Sequence, residues 1–106
     1  MIQRIDLERE HMDLIAKIIR QHMPSNTKTF FFGSRATGRA KPFSDIDILI
    51  NAGKPLSIQQ LSSLHTEFDE SILPYKVDIV DANTMSEEFK LAIQDQLVSF
   101  NFTERL

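Results

Sequence analysis

The chain has 106 residues, a formal net charge of −3 and no cysteine. Its length suits one domain over residues 1–106 with a single core, and the lack of cysteine excludes disulfides, thiolate nucleophiles and cysteine-ligated zinc. The small negative charge argues against a general nucleic-acid-binding surface, because such a surface needs many Lys and Arg contacts to phosphates.

A membrane location is also excluded by the sequence pattern. No apolar stretch approaches the roughly 20 residues that a bilayer-spanning helix needs, and the charged residues near the start leave no room for the apolar segment of a signal peptide. We therefore expect a cytoplasmic protein without a membrane partner.

The hydrophobic pattern predicts helices that alternate with strands. Three strands are predicted, at residues 29–32, 45–51 and 75–80. Three helices are predicted, over residues 7–23, over residues 57–72 and from residue 86 onward. Asp6 is the expected N-cap of the first helix, and Pro74 ends the second.

The lengths of the connections indicate how the strands pair. A full helix separates the second strand from the third, which favours a parallel pair with a right-handed crossover. Only eleven residues, 34–44, separate the first strand from the second, so an antiparallel pair is expected there. The predicted fold class is therefore α/β (α+β), with a small mixed sheet of about three strands and packed helices.

A candidate phosphate-binding turn follows the first strand. Gly33 lets the backbone approach a ligand closely, and Ser34 can start a helical turn whose free N–H groups attract anions. Arg35, Arg39 and Lys41 add positive charge around this turn. The segment is not a P-loop, because its last glycine is followed by arginine and alanine instead of lysine and a hydroxyl residue.

Three acidic residues are the candidate metal ligands. Asp45 and Asp47 open the second strand, and residues two apart on a strand point to the same face, about 6 to 7 Å from each other. Asp78 lies between Val77 and Ile79, which indicates an interior position on the third strand. If the third strand pairs beside the second, the three acids face the same side, as a two-metal site requires.

These residues carry a family resemblance. Gly33 and Ser34, followed after ten residues by Asp45-x-Asp47 and later by Asp78, resemble the motif of the DNA polymerase β-type nucleotidyltransferase superfamily. Within it, the small size resembles the minimal nucleotidyltransferases, the MNT antitoxins usually encoded beside a HEPN-domain toxin. The resemblance implies a nucleotidyltransferase palm-like fold and, as in several members, transfer of AMP from ATP onto a tyrosine of the toxin.

The resemblance also implies roles for the acids. Asp45 and Asp47 would hold two Mg²⁺ ions, while Asp78 would hold one of them and help to deprotonate the acceptor hydroxyl. The reaction would be an in-line attack of that hydroxyl on the α-phosphate, with pyrophosphate as the leaving group.

Nucleotide binding would fall to the turn and the loop after it. By the same resemblance, Gly33 and Ser34 would bind the outer phosphates. The remaining candidate nucleotide ligands are Arg35, Arg39, Lys41 and Ser44. Thr37 departs from the family pattern, since many relatives have a second arginine there.

Three functions are therefore open at this point. The first is a metal-dependent enzyme that adenylylates a HEPN-type toxin and so acts as its antitoxin. The second is a non-catalytic antitoxin that neutralises its partner by binding. For this function, the apolar residues Leu97, Val98, Phe100 and Phe102 could form a docking patch, although core packing explains them equally well. The third is a transferase for a small molecule or an RNA end, with a separate subunit that binds the acceptor.

Overall fold

A computed structural model describes residues 5–102, which form four helices and four strands. The helices are α1 (Arg9–His22), α2 (Ser34–Thr37), α3 (Ile58–Asp69) and α4 (Glu87–Ile93). The strands are β1 (Lys28–Phe32), β2 (Ile46–Asn51), β3 (Val77–Asp81) and β4 (Val98–Phe100). The first four and last four residues of the predicted domain lie outside the described residues.

The strands form one mixed sheet in the order β3-β2-β1-β4. β1 is antiparallel to both β2 and β4, whereas β2 and β3 are parallel and are joined through α3. The predicted fold class and both predicted pairings are thus confirmed. β4 is an additional strand, which the sequence pattern did not reveal because its three residues are held only by pairing with distant β1.

Each face of the sheet has its own apolar layer. On one face, Ile46, Ile48 and Ile50 of β2 pack with the buried residues of α1 and α3. On the other face, Leu49 packs with Phe32 and with Ile93 of α4. Because side chains alternate along a strand, Asp47 points to the same face as Leu49, the face that α4 partly covers.

Of the apolar residues Leu97, Val98, Phe100 and Phe102, all but Val98 belong to this packing rather than to a free patch. Phe102 is buried in the core with α1 and α3. Phe100 is partly buried and stacks on Phe31, with 4.2 Å between the ring centroids. Of the two interpretations that the sequence left open, core packing is therefore the one that this segment shows.

Some predicted helix boundaries were wrong. α1 begins two residues later than expected, and its N-cap is Glu8, not Asp6. α3 starts as predicted behind Ser57, which forms a reciprocal capping box with Gln60. It ends at Asp69, however, so Ile72 does not extend its apolar face and is 88% exposed.

Candidate active site

The predicted phosphate turn lies at the end of β1, directly against an acid of β2. Gly33 has a φ of +80°, and a Cβ added to it would clash with Asp47 Oδ2. Gly33 is also the N-cap of the one-turn helix α2, which ends at Gly38 with a φ of +81°. The N–H groups of Ser34 and Arg35 have no acceptor within this turn, since the first N–H groups of any helix lack one.

The three predicted acids lie on one face of the sheet. Asp47 and Asp78 are register partners in the parallel pair of β2 and β3, and Asp45 precedes β2 by one residue. The pKa of Asp47 is raised from its ordinary value of 3.8 to about 6, first by burial and then by the negative charges of Asp78 and Asp45. The carboxylates are therefore close enough to repel one another.

The position of Asp78 differs from the expected interior setting. β3 is an edge strand of the sheet, so it pairs with a strand on one side only. The side chain of Asp78 is 41% exposed, and Lys76 Nζ lies 3.5 Å from its Oδ1. The flanking apolar residues indicated burial correctly for Val77, but they did not reveal that Asp78 stands at an open edge.

The acids suit a hard divalent cation by their chemistry. Carboxylate oxygens are the ligands that Mg²⁺ prefers, and a cation between these side chains would offset the burial and the neighbouring negative charges that together raise the pKa of Asp47. Among residues 5–102, however, no three His, Asp or Glu side chains are already gathered in a metal-binding group. The charges of Asp45 and Asp78 act on Asp47, but the three side chains do not yet form such a group.

Arg35 is directed away from the open side of the turn. Its guanidinium is buried and donates to the carbonyl oxygens of Ser44 at 2.9 and 3.1 Å, of Asp6 at 2.6 Å and of Pro42 at 3.4 Å. It also lies 4.1 Å from the centre of the Tyr75 ring. Arg35 therefore holds the loop that leads into β2, and its donors face protein rather than solvent.

The other candidate nucleotide ligands lie in that loop. The side chains of Arg39 and Lys41 are exposed, so both cations are accessible to an anion. Ser44 closes the loop: its Oγ accepts from the Lys41 N–H at 2.8 Å, and its own N–H donates to the Lys41 carbonyl at 3.0 Å. Ser44 thus shapes the approach to Asp45.

Two side chains near the site were not found from the sequence. Phe89 of α4 meets Phe32 edge to face, with 5.9 Å between the centroids, and Phe32 is the register partner of Asp47. Gln96, in the turn before β4, accepts the N–H of Gly33 through its Oε1 at 3.0 Å. No sequence motif indicates Gln96, because its contact with Gly33 forms only when β4 pairs with β1.

A row of acids beside a glycine-ended strand, on a mixed sheet with helices on both faces, defines an α/β domain suited to phosphate transfer. The chain belongs to the family described as "Nucleotidyltransferase domain", whose model matches residues 12–106. Nucleotidyl transfer is thus the class of activity of this chain. No helix within residues 5–102 has the length and apolar character to cross a membrane.

The chain is similar to several named proteins and solved structures. The chain is 34% identical over 102 residues to the "Probable protein adenylyltransferase MntA" of Haemophilus influenzae, covering 96% of this chain and 89% of that protein. It resembles the crystal structure of a toxin-antitoxin with AMP-PNP, with 26% identity and a TM-score of 0.72 over 89% of this chain and 74% of the other. The fold also resembles one chain in the structure of a tri-AMPylated Shewanella oneidensis HEPN toxin in complex with MNT antitoxin. The identity is 23%, and the TM-score is 0.66 over 87% of this chain and 72% of the other.

Proposed function

We propose that the protein transfers AMP from ATP to a tyrosine hydroxyl of a HEPN-type toxin in the cytoplasm, and so acts as its antitoxin. The observation that carries the proposal is the placement of Asp47 against the Gly33 turn in a chain of the nucleotidyltransferase family. The adenylyltransferase relative and the toxin-antitoxin structure with AMP-PNP support the choice of adenylyl transfer and of a toxin as acceptor.

The chain's own residues divide the work of binding ATP. Gly33 allows the triphosphate to approach the backbone, and the N–H groups of Ser34 and Arg35 are the available donors to its oxygens. Arg39 and Lys41 are exposed beside the turn and would contact the outer phosphates as cations. Ser44 closes the loop beside Asp45 and is a further candidate ligand of the nucleotide.

The acids divide the work of transfer. Asp45 and Asp47 would hold two Mg²⁺ ions, with Asp78 as a further ligand of one of them. Bound Mg²⁺ supplies positive charge that stabilises the transferring phosphoryl group and the departing pyrophosphate. Because the side chain of Asp78 is partly exposed, it is accessible to the hydroxyl group of an incoming acceptor.

The bond changes follow from these positions. The acceptor oxygen attacks the α-phosphorus in line, the bond from that phosphorus to the pyrophosphate oxygen breaks, and the hydroxyl proton passes to the Asp78 carboxylate. Positioning supplies much of the rate in such a reaction. Burial and, after it, the negative charges of Asp78 and Asp45 raise the pKa of Asp47, and a bound cation would offset both effects.

The test is transfer of label from α-phosphate-labelled ATP, with Mg²⁺, to a purified HEPN-type toxin. We expect labelled toxin with the wild type, none with Asp45→Asn or Asp47→Asn, and full labelling with Asp13→Asn, whose carboxylate is exposed on α1. Wild-type labelling by folded Asp45→Asn and Asp47→Asn would refute the metal assignment. Peptide mass spectrometry then identifies the modified side chain, which we expect to be tyrosine.

The same variants separate catalysis from neutralisation by contact. If adenylylation inactivates the toxin, Asp47→Asn should fail to protect cells that express it. Full protection by Asp47→Asn, with no label on the toxin, would instead establish the non-catalytic antitoxin. Label that appears only on a small molecule or an RNA end would establish the third function.

A further inference from the structure

Gln96 lies opposite Gly33 on the extension of the β1–β4 ladder. The paired residues are Thr29 with Phe100 and Phe31 with Val98, and the same antiparallel register carried two residues further sets Gly33 against Gln96. Main-chain pairing has ended at that point. The side chain of Gln96 continues it, because its Oε1 accepts the Gly33 N–H at 3.0 Å.

The amide of Gln96 also connects this contact to α4. Its Nε2 lies 3.4 Å from the carbonyl oxygen of Ala92, in the last turn of that helix. The other end of the same amide therefore touches the element that covers the acid-bearing face of the sheet. Gln96 is thus placed between α4 and the phosphate turn.

The contact matters because of what Gly33 touches. Its backbone lies against Asp47 and is held at a positive φ, so a small rotation of the Gly33 peptide changes the separation of turn and carboxylate. With the Gly33 N–H occupied by Gln96, the N–H groups of Ser34 and Arg35 are the ones left for a phosphate. The hydrogen bond from Gly33 to Gln96 therefore decides which backbone N–H groups face the nucleotide.

We propose that Gln96 is a positioning residue for nucleotidyl transfer, whose side-chain oxygen holds the Gly33 turn in register with Asp47. This inference rests on the proposed function, since it assigns the turn to ATP phosphates. The neutral amide suits this place, because it supplies an acceptor for the N–H without adding a fourth negative charge near three carboxylates and a polyphosphate.

The test uses three variants of the full chain. Gln96→Met keeps the length of the side chain but removes the acceptor, and Gln96→Glu keeps an acceptor for the Gly33 N–H. Gln94→Met is the matched control, since Gln94 is exposed in the same turn. For each variant, thermal unfolding reports whether the protein is folded. Amide hydrogen exchange at Gly33 reports whether the hydrogen bond from its N–H to residue 96 is present.

Nucleotide binding and transfer are then measured on the folded proteins. We expect Gln96→Met to speed exchange at Gly33 and to weaken Mg²⁺–AMP-PNP binding about 10-fold, the equivalent of about 1.4 kcal/mol. Gln96→Glu should restore slow exchange at Gly33, and Gln94→Met should match the wild type in every measurement. Transfer at saturating ATP should also fall in Gln96→Met, because the turn and Asp47 are no longer in register.

Two results would overturn the inference. If Gln96→Met loses protection at Gly33 yet binds AMP-PNP and transfers AMP like the wild type, the contact serves local stability only. If the wild type itself binds no AMP-PNP in the presence of Mg²⁺, the proposed function and this inference fall together. If the wild type binds AMP-PNP but labels no toxin, the proposed acceptor is wrong. The role of Gln96 is then decided by comparing AMP-PNP binding between the wild type and Gln96→Met.

Discussion

The backbone of Gly33 packs against the carboxylate of Asp47, with no space between them for a Cβ. Asp47 lies on β2, and Gly33 directly follows Phe32, the residue of the antiparallel strand β1 that pairs with Asp47. The phosphate turn is therefore in direct contact with Asp47. A change at either residue should be felt at the other.

The first prediction concerns this contact. Gly33→Ala should destabilise the protein by about 2–4 kcal/mol, because the new methyl group meets Asp47 and the φ of 80° with a ψ of −160° is a conformation that essentially only glycine adopts. Gly38→Ala is the comparison: its φ of 81° and ψ of 15° are ordinary left-handed backbone and nothing lies within 4 Å of the added Cβ, so it should cost only about 1 kcal/mol. Urea unfolding measures both, and equal losses would contradict the proposed steric coupling.

The second prediction is a pH dependence of stability in metal-free buffer. The pKa of Asp47 is about 6 in the folded protein against an ordinary 3.8, so between these values the folded state binds more protons than the unfolded one. The free energy of unfolding should therefore fall as the pH rises from about 4 to about 6, by about 1–2 kcal/mol after allowance for solvent screening.

Asp47→Asn provides the control for this pH effect. The variant should be more stable than the wild type at pH 7, and the difference should vanish near pH 4, where Asp47 is protonated in both states. Urea unfolding of both proteins in EDTA at several pH values measures this difference. Subtracting one free energy of unfolding from the other cancels the contributions of the titrating groups that the two proteins share. A difference that does not change with pH would mean that Asp47 is not electrostatically strained.

The third prediction concerns Lys76, whose ammonium group lies 3.5 Å from Asp78. Lys76→Gln should leave stability within about 0.5 kcal/mol, because exposed ion pairs contribute little. It should strengthen Mg²⁺ binding several-fold at low salt, because a cation at Asp78 no longer displaces or repels the ammonium group. Calorimetric titration measures this; Lys54→Gln, exposed in the turn after β2, should show less gain.

Much of the fold could be predicted because it follows from local patterns. The isoleucines of β2 alternate with Asp47, and this period of two placed the acid on the opposite face from the core. The short connection between β1 and β2 and the helix between β2 and β3 were enough to predict the mixed sheet. These features depend on residues close together in the chain.

The features that were missed depend on contacts between distant residues. Asp78 looked interior because apolar residues flank it, but its exposure is decided by the order of strands, which leaves β3 at the edge. Arg35 lies in a basic segment, and only the folded loop shows its guanidinium turned inward to the Ser44 carbonyl. Gln96 meets Gly33 across 63 positions of sequence, a distance over which no local pattern is informative.

The last prediction concerns that inward arginine. Arg35→Lys keeps the positive charge but cannot bond the Ser44, Asp6 and Pro42 carbonyls together or lie as a plane over Tyr75, so it should destabilise the protein by about 2 kcal/mol. Hydrogen exchange should also become faster across residues 39–45, the loop that leads into the acids.

The matched control is Arg39→Lys, since Arg39 lies in the same loop with an exposed side chain. It should leave unfolding and loop exchange unchanged, because a lysine there makes the same contact with solvent. AMP transfer should fall in Arg35→Lys although its guanidinium faces protein carbonyls, since a loosened loop no longer presents Asp45 and Asp47 at the Gly33 turn. Wild-type loop exchange together with lost transfer would instead point to direct contact between Arg35 and the nucleotide.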